Sequence, residues 1–243
     1  MELNEYISVD CVVFGYDSEK LNILLVQRTL TDKESGSTLL SDFTLTGNHV
    51  YEKEKVEDAA NRILFNLSGV TDIYLEQFKT FSDPDRLSNP IDKKWLLSID
   101  RNPNLRVTSI GFFALLNTQN VTLKWMDREV KWVPVKEVGK LGFDHNHILD
   151  EALIALRNKM KHEPIGFELL PEKFTLTQLQ TVYECIFDTQ FDKRNFRKKI
   201  SRMTYVIPLN EKQKGVSHKP AQLYMFSRDV YEKTKRELFD FIV

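Results

Sequence analysis

The sequence predicts an α/β (α+β) domain over residues 1–162, followed by a small α+β domain over residues 163–243. Three observations carry this reading. Period-two apolar runs alternate with helical runs in the first part, whereas the second part holds two short helices and a hairpin. Pro164, Gly166 and Pro171 punctuate the chain after the helix that closes the first part. Charge also divides there: residues 1–162 hold 20 Lys and Arg against 24 Asp and Glu, a net of −4, whereas residues 163–243 hold 14 against 11, a net of +3.

In the first part, Tyr6–Tyr16 alternates and is rich in Val, Ile and Phe, which predicts a strand. Residues 17–20 form a turn, and Leu21–Arg28 is a second, more buried strand. The polar stretch Thr29–Thr38 reads as a mobile loop. Val56, Ala59, Ala60, Ile63, Leu64 and Leu67 recur at helical spacing, with Gly69 as the stop. Strand character returns over Ile73–Phe81, over Arg106–Leu116 and again over Val121–Val133. A second helix is expected from about Ile148 to Lys161, capped by residues within Asp144–Asn146. Asp144, His145 and His147 also carry atoms that bind metals, and capping is the reading preferred here.

In the second part, Thr175 followed by Gln178 is a capping box. The helix it opens places Leu176, Leu179, Val182, Tyr183, Ile186 and Phe187 on one face. Asp188–Gln190 is a tight turn, and a second helix follows from about Phe191 to Met203, giving a helix-turn-helix unit. At ~100° per residue, Phe196, Ile200 and Met203 share a narrow core face, and Arg194, Arg197, Lys198, Ser201 and Arg202 lie away from it. Lys193 adds a further cation at the start of this helix. Tyr205–Leu209 and Ala221–Phe226 then read as a hairpin with Lys212, Lys214, His218 and Lys219 in its turn. Ser227 can cap a last helix over Asp229–Ile242. Residues 191–219 hold nine Lys and Arg but only Asp192 and Glu211 as acids, a net of +7, which points to phosphate backbones. A one-signed helix face suits the DNA major groove, where Arg reads guanine edges and Lys and Ser hold phosphates.

Cys11 and Cys185 stand far apart without metal spacing, so a disulfide framework is excluded and a reducing cytoplasm is expected. No run approaches the ~18–20 apolar residues of a membrane span, and the acidic, polar start does not read as a secretory signal.

Residues 47–70 (GNHVYEKEKVEDAANRILFNLSGV) resemble the signature of the Nudix hydrolase family: Gly, five residues, Glu, seven residues, then Arg-Glu-apolar-x-Glu-Glu-x-Gly-apolar. Aligned without a gap, the first glycine falls on Asn48, the first glutamate on Glu54, the arginine on Arg62 and the last glycine on Gly69. The three glutamates after the arginine fall on Ile63, Asn66 and Leu67. The resemblance implies Leu45–Val50 as a lead-in turn and a Glu54–Arg62 brace between loop and helix. Nudix enzymes hold Mg²⁺ or Mn²⁺ through helix glutamates, and Ile and Leu cannot ligate a hard cation. No hydrolysis, no cofactor and no metal are therefore expected, and Glu57 and Asp58 read as favourable acids in a first helical turn.

Phe81–Arg86, Leu141–Leu149, Phe174–Gln180, Asp192–Arg197 and Lys219–Tyr224 further resemble the Nudix-related transcriptional regulators, a family with a Nudix-like sensor followed by a winged helix-turn-helix. The resemblance implies a homodimeric repressor that binds double-stranded operator DNA and responds to a small molecule. Relatives in that family bind ADP-ribose or govern sugar use. Because the metal glutamates are lost, a pentose such as L-arabinose is the expected effector, with ADP-ribose as the alternative. Asp10, Asn48, His49, Asp83 and Arg86 are the expected effector contacts. A divergent Nudix hydrolase and an effector-free adaptor are the rival readings.

Overall fold

The computed structural model describes residues 2–32, 34–71, 73–124, 128–215 and 219–235. They group into two compact units: residues 1–15 with 22–155, and residues 16–21 with 156–243.

The first unit is built on a seven-stranded sheet. Its strands are β1 (Leu3–Tyr16), β2 (Leu21–Thr31), β3 (Thr38–Thr44), β4 (Thr46–Tyr51), β5 (Glu76–Phe81), β6 (Thr108–Asn117) and β7 (Val130–Pro134). They run in the order β3-β2-β1-β6-β5, with β4 on β1 and β7 on β2. The predicted loop Thr29–Thr38 is shorter than expected, since β2 continues to Thr31 and pairs antiparallel with β3. The predicted lead-in turn is largely a strand, β4, with Asp10 opposite Gly47 and Val9 opposite Asn48. Among the described residues of the expected strand Val121–Val133, β7 alone is strand; residues 125–127 lie outside the described part.

Helix α1 (Val56–Ser68) buries Ala59, Ala60, Ile63 and Leu64 and ends at Gly69, whose φ of 72° suits a residue without a Cβ. It packs its apolar face into a core with Val9, Cys11, Val13, Leu24 and Phe112. Helix α2 (Pro90–Ser98) was not anticipated; Asn89 caps it, accepting a hydrogen bond from the Ile91 N–H at 3.2 Å, and proline opens it. Helix α3 (His145–His162) begins three residues earlier than Ile148. The expected capping by Asp144–Asn146 side chains is not what they do: Asp144 takes Arg86, His145 takes the Leu45 N–H, and Asn146 takes the Leu141 N–H. Tertiary partners outcompete the helix end for these acceptors.

In the second unit, Thr175 and Gln178 close the predicted capping box on α4 (Leu176–Phe187). Asp192 caps α5 (Lys193–Ile200) through a 2.8 Å bond from the Asn195 N–H. The helix is shorter than expected; Ser201 and Arg202 lie in the turn beyond it, and Met203 is half-buried. Strands β8 (Val206–Lys212) and β9 (Gln222–Phe226) form the hairpin, and Phe174 bridges to Tyr224 beside it. Phe196 and Ile200 of α5 are buried, as are Leu179, Val182, Tyr183 and Ile186 of α4, and the Phe196 ring meets Tyr183 edge-on at 6.1 Å. The last helix, α6, spans Arg228–Thr234, capped by Ser227; residues 236–242 of the predicted helix lie outside the described part.

Candidate functional site

In the second unit, the cations named from sequence form an exposed basic surface. Lys193, Arg194, Arg197 and Lys198 on α5 are all exposed, as are Arg202 just after it and Lys212, Lys214 and Lys219 on the hairpin. None of them makes an ion pair among the described residues. A positive face left without internal acids keeps its full attraction for an external anion. Ser201 is also exposed, but its hydroxyl donates to the Lys198 carbonyl at 2.9 Å. His218 lies outside the described residues. Sequence reading missed how the turn before α5 is fixed: Gln180 donates to the Phe191 carbonyl at 3.0 Å, and the Phe191 N–H donates to Glu184 at 2.8 Å. These bonds set where α5 starts.

In the first unit, a cavity of about 280 Å³ opens between β1, β4, the C-terminal part of α1 and the segment around α2. Asp10, Asn48, His49 and Arg86 line it, so four of the five expected contacts come together. Asp83 does not line it; exposed, it accepts a bond from the Asp85 N–H at 2.8 Å and shapes the turn that delivers Arg86.

The cavity floor is a buried polar network. Arg86 grips Asp144 with two bonds of 2.9 Å and stands 3.6 Å from Asp10. Asp10 also accepts from the Ser109 hydroxyl. His145 Nδ1 accepts the Leu45 N–H at 2.9 Å, so a neutral ring carries its proton on Nε2, which faces Asp10 at 3.4 Å. Burial pushes the His145 pKa down, only partly opposed by Asp10 and Asp144, and the imidazole stays neutral. Burial lowers His49 as well, helped by nearby Arg101. For Arg86, burial disfavours the charge, but the bonds and charges of Asp144 and Asp10 win and raise its pKa.

Behind this floor, Arg28 is 1 % exposed and ties four elements together. It holds Asp42 of β3 at 2.7 and 2.8 Å, pairs with Asp92 of α2, and lies 4.5 Å from the Phe143 ring. Asp92 accepts the Phe143 N–H at 3.2 Å, holding Phe143 at a left-handed φ of 57°. Gly142 is required here, because a Cβ on it would stand 2.5 Å from the Arg28 guanidinium.

Sequence reading did not place Trp95, Leu96, Ile99, Arg101, Arg128 or Phe143 at the cavity, and all six line it. Asn89-Pro90 was the one available signal, an N-cap followed by proline at the first helical position.

The Nudix-like segment keeps its brace: Arg62 holds Glu54 at 2.6 and 2.7 Å and donates to the His49 carbonyl at 3.1 Å. At the three positions where Nudix enzymes place metal glutamates, Ile63 is buried in the core, Asn66 is exposed and Leu67 lines the cavity. Among the described residues no group of three His, Cys, Asp or Glu is arranged to hold a metal ion. The donor set present does not fit Mg²⁺ or Mn²⁺. Among the described residues no helix is long and apolar enough to cross a membrane.

Comparison with known proteins agrees with this layout. The NUDIX domain family profile matches residues 5–152, and that of the NrtR DNA-binding winged helix domain matches residues 166–226. The ADPR responsive transcriptional repressor NtrR of Acinetobacter baylyi is 28% identical over 228 residues, 93% of this chain and 83% of that protein. Shewanella oneidensis NrtR complexed with a 27mer DNA is 25% identical, covering 93% of this chain and 95% of that one, with a TM-score of 0.66. A MutT/nudix family protein from Enterococcus faecalis shares the fold, with 24% identity, a TM-score of 0.65, and coverage of 93% of this chain and 90% of that one. The chain belongs to the NUDIX domain family, in a form that carries an NrtR-type DNA-binding winged helix domain behind the Nudix fold.

Proposed function

We propose that the chain is a transcriptional repressor whose Nudix fold senses ADP-ribose and whose α5 and β8–β9 wing bind double-stranded operator DNA. The exposed cations of α5 and the wing, unpaired among the described residues, carry the DNA half of the reading. The likeness to the Acinetobacter repressor, which is named ADPR responsive and spans nearly the whole chain, favours the effector.

The preference for a pentose is reversed. It rested on the loss of the metal carboxylates, which left nothing to hold a diphosphate. The cavity supplies another grip: Arg101 and Arg128 line it, and neither was in view from sequence. In this reading the first unit binds without hydrolysing, because Ile63, Asn66 and Leu67 provide no carboxylates at the Nudix metal positions. The chain acts as a homodimer on a near-palindromic site, since two-fold proteins read two half-sites.

Titration calorimetry with ADP-ribose and with L-arabinose tests the sensor, and product analysis with Mg²⁺ tests the absence of hydrolysis. Saturable binding of ADP-ribose without turnover is expected. Binding of L-arabinose alone would restore the pentose reading, and release of AMP would make the chain an enzyme.

A further inference from the structure

We infer that the cavity holds a phosphorylated ligand without any divalent cation, with Arg101 and Arg128 taking the metal's electrostatic place. The inference rests on the reading of this cavity as the effector site.

The Nudix architecture places its metal between helix carboxylates and a diphosphate. Here one of those three positions, Leu67, lines the cavity and presents hydrocarbon where the family pattern has a carboxylate. A ligand bearing two adjacent negative charges still needs them balanced, since an unpaired charge is costly to bury. Arg86 does not have that charge to spare. It is committed to Asp144 through two 2.9 Å bonds and sits 3.6 Å from Asp10.

Arg101 and Arg128 are in a different position. Both line the cavity, both are only partly buried, and neither makes an ion pair among the described residues. Arg128 is steadied by the Trp95 ring, 5.4 Å from its guanidinium carbon. The Arg101 backbone is fixed just past α2 by its main-chain N–H on the Leu96 carbonyl at 2.9 Å, and its charge lies near enough to His49 to help depress that imidazole. Two guanidinium forks match phosphate oxygens bidentately, and they keep their charge at every physiological pH and in the presence of chelators. That makes the pair an electrostatic substitute for a metal, although not a catalytic one. Guanidinium groups bind the anion but do not generate a metal-bound hydroxide.

Calorimetry on the full chain tests this with ADP-ribose, ribose 5-phosphate and inorganic pyrophosphate, in EDTA and in Mg²⁺. The expected result is an ADP-ribose affinity that is the same in both buffers. Arg101→Gln and Arg128→Gln should each weaken it about tenfold or more, as expected for a lost charged hydrogen bond, and Arg101→Lys by less. Leu67→Glu should weaken it in EDTA by returning a carboxylate to the wall. Melting curves of the unliganded variants that overlay the parent show that the fold is kept. ADP-ribose binding that requires Mg²⁺, or arginine variants that bind as the parent does, overturns this inference and leaves the sensor reading standing. No ADP-ribose binding in either buffer overturns the sensor reading as well.

Discussion

Asp92→Asn probes the joint that holds the cavity wall. Asp92 is fully buried and pairs with Arg28, itself 1 % exposed, while also accepting the Phe143 N–H at 3.2 Å. Asparagine keeps the shape and an acceptor for Phe143 but removes the charge. Removing one partner of a buried pair costs about 3–5 kcal/mol, because the other charge is stranded. Arg28 keeps Asp42, which is 23 % exposed, and the Phe143 ring at 4.5 Å, so the lower end, about 3 kcal/mol, is expected. Against a typical total of ~5–15 kcal/mol this is a large loss. All three tryptophans, at positions 95, 125 and 132, fall in the first unit's range, so their fluorescence during urea unfolding reports on that unit. The midpoint should fall with an unchanged slope. Lys79→Ala, which breaks the 2.8 Å exposed pair with Glu151, should leave the midpoint where it was. A loss below about 1 kcal/mol for Asp92→Asn would refute the idea that this pair anchors α2.

Three further outcomes follow. Arg194→Ala and Arg197→Ala should each weaken operator binding by about 1–3 kcal/mol if they read bases, whereas Lys212→Ala and Lys214→Ala should each reduce the salt slope by about 1, both measured by fluorescence anisotropy. Gly47→Ala would put a Cβ 1.9 Å from Asp10 Oδ1, so it should displace Asp10 and lower effector affinity in calorimetry; unchanged affinity would show that Asp10 does not form the floor of the effector site. Burial holds His145 below the ordinary imidazole range, and His49 is lowered in the same sense, so the unfolded chain takes up these protons first. Stability should therefore fall as pH drops below about 6.5, and His145→Gln should flatten that fall in denaturant titrations between about pH 7.5 and 5.5.

The elements that the sequence foretold well are those whose signal is local. The α1 periodicity ended by Gly69, the Thr175–Gln178 box and the narrow Phe196–Ile200 face need no distant partner to be recognised. Strands β3 and β4 were missed because neither alternates cleanly, mixing Ser41, Asp42, Asn48 and His49 with Leu40, Phe43 and Val50; pairing with β2 and β1 makes them strands. Residues 144–146 were misread for a related reason. Their cap-like chemistry is real, but Arg86, Leu45 and Leu141, far along the chain or behind in it, claim those side chains. The same holds at the cavity. Asp10 and Arg86 stand out as polar residues beside apolar runs, but Arg101 and Arg128 become neighbours of one cavity only once α2 is packed on the sheet. Neither guanidinium could be counted toward holding a diphosphate from the sequence alone.

One titration addresses both ligand binding by the Nudix fold and DNA binding by the winged helix. A labelled duplex from upstream of the chain's own gene is titrated with the protein, against a scrambled duplex, with and without saturating ADP-ribose. The expected result is sequence-preferring binding whose affinity ADP-ribose changes by about 5–150-fold, the usual range of coupling between sites. Equal affinity for both duplexes, or an affinity that ADP-ribose leaves untouched, would contradict it.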